Sequence, residues 1–199
     1  MNVLENGWCK NVFKLNHVSV SPKNDHFDCV DNKFIVGKSK DVLIFGCRNL
    51  EKVDLPENIK KIVSYAFSGC FGLKSFEISK DSQLQLIDKD SFSKSSIEKI
   101  LIPCHVKQIG PRSFFKCEKL KSVQFAENSE LEIIGRKAFS LTNIENISIP
   151  AKVKKMAERC FQECEYLKTV NFANESELNS IEKYTFSFTW LENIKLPKN

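Results

Sequence analysis

Residues 100–122 read ILIPCHVKQIGPRSFFKCEKLKS, and residues 53–75 (VDLPENIKKIVSYAFSGCFGLKS) and 147–169 (ISIPAKVKKMAERCFQECEYLKT) repeat the same order of residue types. Each stretch opens apolar-x-apolar-Pro, turns, and continues with an apolar-x-x-apolar step. A small residue and Phe follow, then Cys three residues on and Leu three beyond that. Pro56, Pro103, Pro150 and Pro197 keep a 47-residue spacing, as do Cys70, Cys117 and Cys164. Between these stretches lie variants of the same unit at 76–99, 123–146 and 170–193, so unit lengths alternate between 23 and 24 residues. Self-similarity at such a period marks a repeat architecture.

Within a unit the apolar positions fall into four sets. The alternating pairs Val53/Leu55, Phe76/Ile78, Ile100/Ile102, Val123/Phe125, Ile147/Ile149 and Val170/Phe172 predict short strands with one buried face. Mid-unit pairs such as Ile59/Ile62 and Val106/Ile109 turn the chain back along the core. Phe67, Phe92, Phe114, Phe139, Phe161 and Phe186 predict an aromatic spine. Leu73, Ile97, Leu120, Ile144, Leu167 and Leu191 lead into each next strand. One unit cannot bury these faces alone, but stacked neighbours bury them together. The expected fold is a mainly β, or α/β-type, repeat solenoid. It is a curved stack with a parallel β-sheet on one face and short helical or irregular segments on the other.

The pattern I-x-x-x-[AS]-F-x-x-C-x-x-L-x-x-[VIF]-x-[IFL], carried by Ile62, Ala66, Phe67, Cys70, Leu73, Phe76 and Ile78, returns at Ile109, Ser113, Phe114, Cys117, Leu120, Val123 and Phe125. It resembles the BspA-like leucine-rich repeats of bacterial and protozoan surface proteins. The even-numbered units depart from it: they lack the Cys, lose one residue before the closing apolar residue and gain two before the Phe. The resemblance implies a leucine-rich-repeat stack that acts in adhesion to host matrix proteins and other cells.

Residues 53–199 form the repeats (53–75, 76–99, 100–122, 123–146, 147–169, 170–193 and a partial unit at 194–199), and residues 1–52 are less regular. There Leu15-x-x-Val18-x-Val20 repeats the strand signature. Residues 27–45 read as two strands around a turn at residues 37–41. The expectation is an irregular N-terminal capping unit with a β-hairpin, since terminal repeats are atypical.

The 199-residue chain carries 30 Lys+Arg against 25 Asp+Glu, a formal charge of +5. Basic and acidic residues alternate along most of it, which argues against a nucleic-acid partner. Residues 1–10 show neither the basic stretch nor the apolar run of a secretory signal, and no apolar run reaches the roughly 20 residues of a membrane span. The eight cysteines show no zinc spacing. Cys70, Cys117 and Cys164 recur two units apart, roughly 10 Å at about 4.8 Å per strand, which is too far for disulfides. They read as buried thiols, as does Cys160, and so many free thiols fit a reducing compartment. Cys104-His105 has no orienting partner, and no glycine loop cradles phosphate. No cofactor, metal or catalytic residue is expected. The sequons at Asn146 and Asn174 read as unmodified polar residues.

Residues between the buried strand positions point to the outer face: Lys52, Asp54, Glu77, Lys99, Leu101, Gln124, Ser148, Asn171 and Lys195. They are the candidate binding residues, for a protein or a glycan. Leu101 stands out as an apolar side chain on a polar surface. Two readings follow. Family resemblance implies a cell-surface adhesin or antigen-like protein. Free cysteines and the opening residues favour an intracellular scaffold or cytoskeleton-associated protein. The sixth unit's apolar face, with Trp190 and Leu191, predicts a C-terminal end covered by further repeats, another chain or end-to-end association.

Overall fold

The computed structural model describes residues 4, 5 and 7–198; the parts of the capping and partial units at positions 1–3, 6 and 199 lie outside them. Every repeat contributes one four-residue strand and one two-residue strand. The first kind are β4 (Lys52–Leu55), β6 (Ser75–Ile78), β8 (Lys99–Ile102), β10 (Ser122–Phe125), β12 (Asn146–Ile149) and β14 (Thr169–Phe172), followed by the shorter β16 (Asn193–Ile194). The second kind alternate with them: β5 (Lys61–Ile62), β7 (Leu86–Ile87), β9 (Gln108–Ile109), β11 (Ile133–Ile134), β13 (Lys155–Met156) and β15 (Ser180–Ile181). All neighbouring repeat strands that pair do so in parallel. Alternate burial along β4 and β12 follows the alternating sequence.

The N-terminal segment holds three strands where the sequence suggests two: β1 (Phe27–Val30), β2 (Phe34–Gly37) and β3 (Val42–Gly46). They form an antiparallel meander. Through β3, whose Val42 and Leu43 pair in parallel with Lys61 and Ile62, the meander continues the sheet of two-residue strands. The Leu15–Val18–Val20 signature forms no strand. Arg48 instead ties this segment down: its backbone N–H donates to the Leu15 carbonyl at 2.9 Å, and its Nε to that of Val12 at 2.7 Å.

One core runs from Cys9 to Leu178. Phe67, Phe92, Phe114, Phe139 and Phe161 have no exposed surface. Their rings stack nearly parallel, with centroids 5.2–5.3 Å apart. Phe186 extends the stack at 5.9 Å and is half-buried. The column is offset-stacked rather than interlocked because each unit places its Phe at the same register on its neighbour.

The far side is irregular, with no helix among the described residues. It holds a third ladder. Tyr65, Asp90, Arg112, Lys137, Arg159 and Tyr184 have positive φ, and so do Gly69, Lys94, Lys116, Leu141, Glu163 and Phe188 four residues later. Between each pair of left-handed residues, every second peptide lies along the stack. The N–H groups of Tyr65, Phe67 and Gly69 therefore donate to the carbonyls of Lys89, Ser91 and Ser93 at 3.2, 2.7 and 2.8 Å. Each later unit up to Arg159, Phe161 and Glu163 repeats this. All these N–H groups point toward the C-terminal end, so the ladder has a direction.

The carbonyl end of that ladder meets Arg48, which is 4% exposed. Its guanidinium donates to the carbonyls of Ala66 (2.8 Å), Tyr65 (3.2 Å) and Gly46 (3.2 Å) and lies 4.4 Å above the Phe45 ring. Gly46 is glycine for a steric reason: a Cβ there would overlap the Phe67 ring. All eight cysteines are free. Cys117 and Cys164 donate to the carbonyls of Phe92 and Phe139, each at 3.0 Å.

Candidate functional site: the strand face and its seam

The 23/24 alternation sets how strands join. Odd-to-even junctions are paired along their whole length, β4 with β6, β8 with β10 and β12 with β14. Even-to-odd junctions are not. Between β6 and β8 only Ser75 and Lys99 pair; between β14 and β16 only two positions pair; β10 and β12 do not pair and belong to separate sheets. The cause lies in the connections. Even units run from Phe92 to Ile100, one residue less than from Phe67 to Phe76, so the following strand is reached on a tighter path. The outer sheet is thus two sheets meeting at a seam between β10 and β12.

Even units also spend two more residues after the strand, from Phe125 to Leu131 against Ile102 to Val106. The longer loops of the fourth and sixth units stand as ridges on either side of the fifth. Between them lies an open groove of about 640 Å³. Phe125 and Phe172 line it with Ile149, Pro150 and Ala151. Asn128, Ser148, Asn171 and Asn174 supply polar groups, and Lys152 is its one charged residue among the described lining. A second hollow of about 360 Å³ shares Phe125 and Ser148 with it and extends to Leu101, Gln124 and Asn146. Together they straddle the seam. The sequence offers Cys104-His105 no orienting partner, but His105 Nδ1 lies 3.4 Å from Glu130 Oε1, a residue of the fourth unit.

The candidate residues fall into groups. Leu101, Gln124 and Ser148 line the second hollow, and Ser148 and Asn171 the first. Lys52 and Asp54 are exposed and pair with each other at 3.1 Å. Glu77 accepts from the Ser75 hydroxyl at 2.7 Å, Lys99 is exposed on β8, and Lys195 follows β16, also exposed. Leu101 is half-buried. Sequence reasoning assigns Phe125 and Phe172 to the core, yet both are half-buried walls of the groove. The signal was present: Phe stands where Leu55, Ile102 and Ile149 fill the odd units.

Charge on this surface is sparse around the seam. Elsewhere, burial holds the Asp90 carboxyl above its ordinary range despite Arg112 at 3.0 Å and nearby Lys89. Among the described residues no helix is long and apolar enough to cross a membrane, and no group of His, Cys, Asp or Glu could hold a metal ion.

The sequence pattern of the BspA type leucine-rich repeat region, in six copies, matches residues 40–128 and again 85–199. The chain belongs to the BspA-type leucine-rich-repeat family. Solved structures agree on the fold. A leucine-rich repeat protein from Eubacterium ventriosum superposes with a TM-score of 0.74 at 17% identity, over 97% of this chain and 57% of that one. The pneumococcal vaccine antigen PcpA gives a TM-score of 0.61 at 28% identity, over 70% of this chain and 34% of PcpA. The T. pallidum leucine-rich repeat protein gives 0.62 at 21% identity, over 69% and 67%. This chain therefore spans about a third of PcpA and somewhat over half of the E. ventriosum protein. No curated protein matches it. Repeats of this family present extended surfaces suited to protein interactions.

Proposed function

We propose that this BspA-type chain is a non-catalytic binding module that docks a partner protein on its strand face across the seam between β10 and β12. The observation that carries the reading is the pair of adjoining hollows there, with Phe125 shared between them and neutral amides and hydroxyls around it. Apolar walls beside a few placed polar groups are what recognition sites offer. By family, and by likeness to a pneumococcal antigen, the partner is a host matrix protein and the chain an adhesin-like surface protein. Its free, mostly buried thiols support the second reading, an intracellular scaffold. In either case Tyr184, Phe188, Trp190 and Leu196, which are 54–74% exposed, support end-to-end association at the C-terminal end.

The test is capture of partners from a matrix extract and from cytosol by wild type and by Gln124→Arg/Ser148→Arg. Both side chains are exposed, so the double variant is expected to fold as wild type and lose the captured partner. Unchanged capture by the folded double variant would remove the seam from the reading, and the extract that yields the partner separates the two compartments.

A further inference from the structure

The far side of the stack carries a second surface with different chemistry. The residue after the spine Phe is Ser68, Ser93, Ser140, Ser187 or Gln162 in five units, but Phe115 in the third. Its half-buried ring is faced by three cations: Arg112 Cζ lies 4.8 Å from the centroid, Lys116 Nζ 5.8 Å and Lys137 Nζ 5.9 Å. The ring's negative face attracts them and fixes their positions. Arg112 also meets Asp90 Oδ1 at 3.0 Å, but that carboxylate is turned inward and only 3% exposed. Lys116 and Lys137 have no ion-pair partner among the described residues. Three cations against one carboxylate leave a net positive field that an anion can relieve.

The directional backbone ladder extends the cluster along the stack. Arg112, Lys137 and Arg159 occupy one column, and Lys94 and Lys116 the neighbouring one. Lys94, Lys116 and Lys119 also line a hollow of about 230 Å³ with Phe71, Ser95 and Ser96. Acidic side chains are present but marginal. Glu118 lines that hollow, Glu163 follows Leu141 in the second column, and Glu158 is drawn to Arg136 and Arg159, each at 3.3 Å.

We propose that this strip binds a linear acidic polysaccharide carrying an anionic group on each sugar, through a surface distinct from the strand-face seam. The units advance by 5.2 Å at the ring stack, close to the length of one sugar, so successive anionic groups can meet successive turns. An extended acidic peptide presents same-face carboxylates about 6.8 Å apart and falls out of step within a few turns. A single nucleic-acid strand needs open aromatic faces for base stacking. Here Phe115 is already faced by its own cations, while Phe13 faces Phe71 at 5.8 Å and Lys94 at 5.8 Å.

The experiment titrates the full chain with a fluorescent heparin decasaccharide at several salt concentrations. Binding is expected to weaken with salt as for about three to five ion contacts. Lys116→Gln/Lys137→Gln should weaken it by at least about tenfold, and Lys116→Arg/Lys137→Arg should retain it. Phe115→Ser, which keeps every charge but frees the cations, should weaken it by less than the glutamine pair. Lys80→Gln, at an exposed lysine in the loop after β6, should leave it unchanged. No binding at low salt, or wild-type affinity in the glutamine pair, would overturn the proposal. So would displacement of the probe by polyglutamate, polyuridylate or phosphatidylserine vesicles more readily than by unlabelled heparin.

Discussion

The first and last described units of the stack differ sharply. At the N-terminal end, Gly46 N–H and Arg48 donate to the Ala66 carbonyl, fully buried Phe45 lies beside the start of the spine, and Trp8 packs on Phe45 at 5.3 Å. At the C-terminal end, the N–H groups of Tyr184, Phe186 and Phe188 have no acceptor among the described residues. Phe186 is only half-buried, and Trp190 is 74% exposed. A ladder whose peptides all point one way demands donors at one end and acceptors at the other. An apolar column demands a cover at both. The N-terminal segment supplies both things in one small unit, and Arg48 is its centre.

The largest expected effect separates the middle of the column from its end. Phe114→Ala should destabilise by about 3–5 kcal/mol, because a ring with no exposed surface leaves a cavity between two stacked neighbours. Phe186→Ala makes the same deletion with a neighbour on one side only, and should cost about half as much. Urea unfolding of both variants checks this, and equal losses would mean that the spine is no more supported in its middle than at its edge.

Next comes the cap. Arg48→Met keeps length and apolar bulk but leaves the Val12 carbonyl without its donor and the Ala66 carbonyl with the Gly46 N–H alone, and should cost about 2–4 kcal/mol. Arg48→Lys should recover little of it, because one ammonium cannot span carbonyls that a planar guanidinium reaches together. Hydrogen exchange at the Gly46 amide should accelerate in both. A wild-type unfolding midpoint in Arg48→Met would show that the carbonyl end needs no cap.

Much of this was legible in the sequence, and the rest was hidden for physical reasons. The period, the strand pairs and the spine follow from which residues must be buried, and burial is written in residue type. The seam between β10 and β12 is not, since the same short connection precedes β8 and β16, which still pair in part, and only backbone pairing that no side chain announces sets the seam apart. The left-handed columns are equally silent: Lys, Arg, Tyr and Asp occupy positions where glycine would be the usual sign. The strip around Phe115 becomes visible only when residues from separate units are stacked; read along the chain, its lysines simply alternate with acids. Arg48 gave no signal because its partners are carbonyls rather than carboxylates.

A smaller effect concerns the thiols of the interior. Burial pushes Cys117 from 9.0 up to about 12 and Cys164 up to about 11, and Cys160 moves the same way. Below pH 9 these thiols are protonated in both folded and unfolded chains, and their contribution to stability is fully present. As pH rises from about 9 the unfolded chain loses these protons while the folded chain keeps them, so stability falls toward pH 12. The unfolding midpoint should drop over that window, and less steeply in Cys117→Ala/Cys164→Ala. Cys117→Ser, measured at neutral pH, should cost about 1–3 kcal/mol by burying a smaller, more polar group, even though a hydroxyl there can still donate to the Phe92 carbonyl.

The smallest effect on stability belongs to the C-terminal end, and there it carries the most information about assembly. Phe188 and Trp190 are each 74% exposed, so Phe188→Glu/Trp190→Glu removes little buried area within the chain. Its unfolding midpoint should stay within about 0.5 kcal/mol of wild type. Association through this end would then be read separately, by sedimentation across a range of concentrations. A head-to-tail contact is blocked, because Arg48 and the N-terminal meander already occupy the carbonyl end of the ladder. Contact through this end alone must therefore pair like with like, and such a contact closes as a dimer instead of growing into a filament. Wild type is expected to show a monomer–dimer equilibrium that the double variant shifts to monomer. A wild type that stays monomeric at high concentration would dispose of end-to-end association, and higher oligomers that persist in the double variant would place the contact elsewhere on the stack.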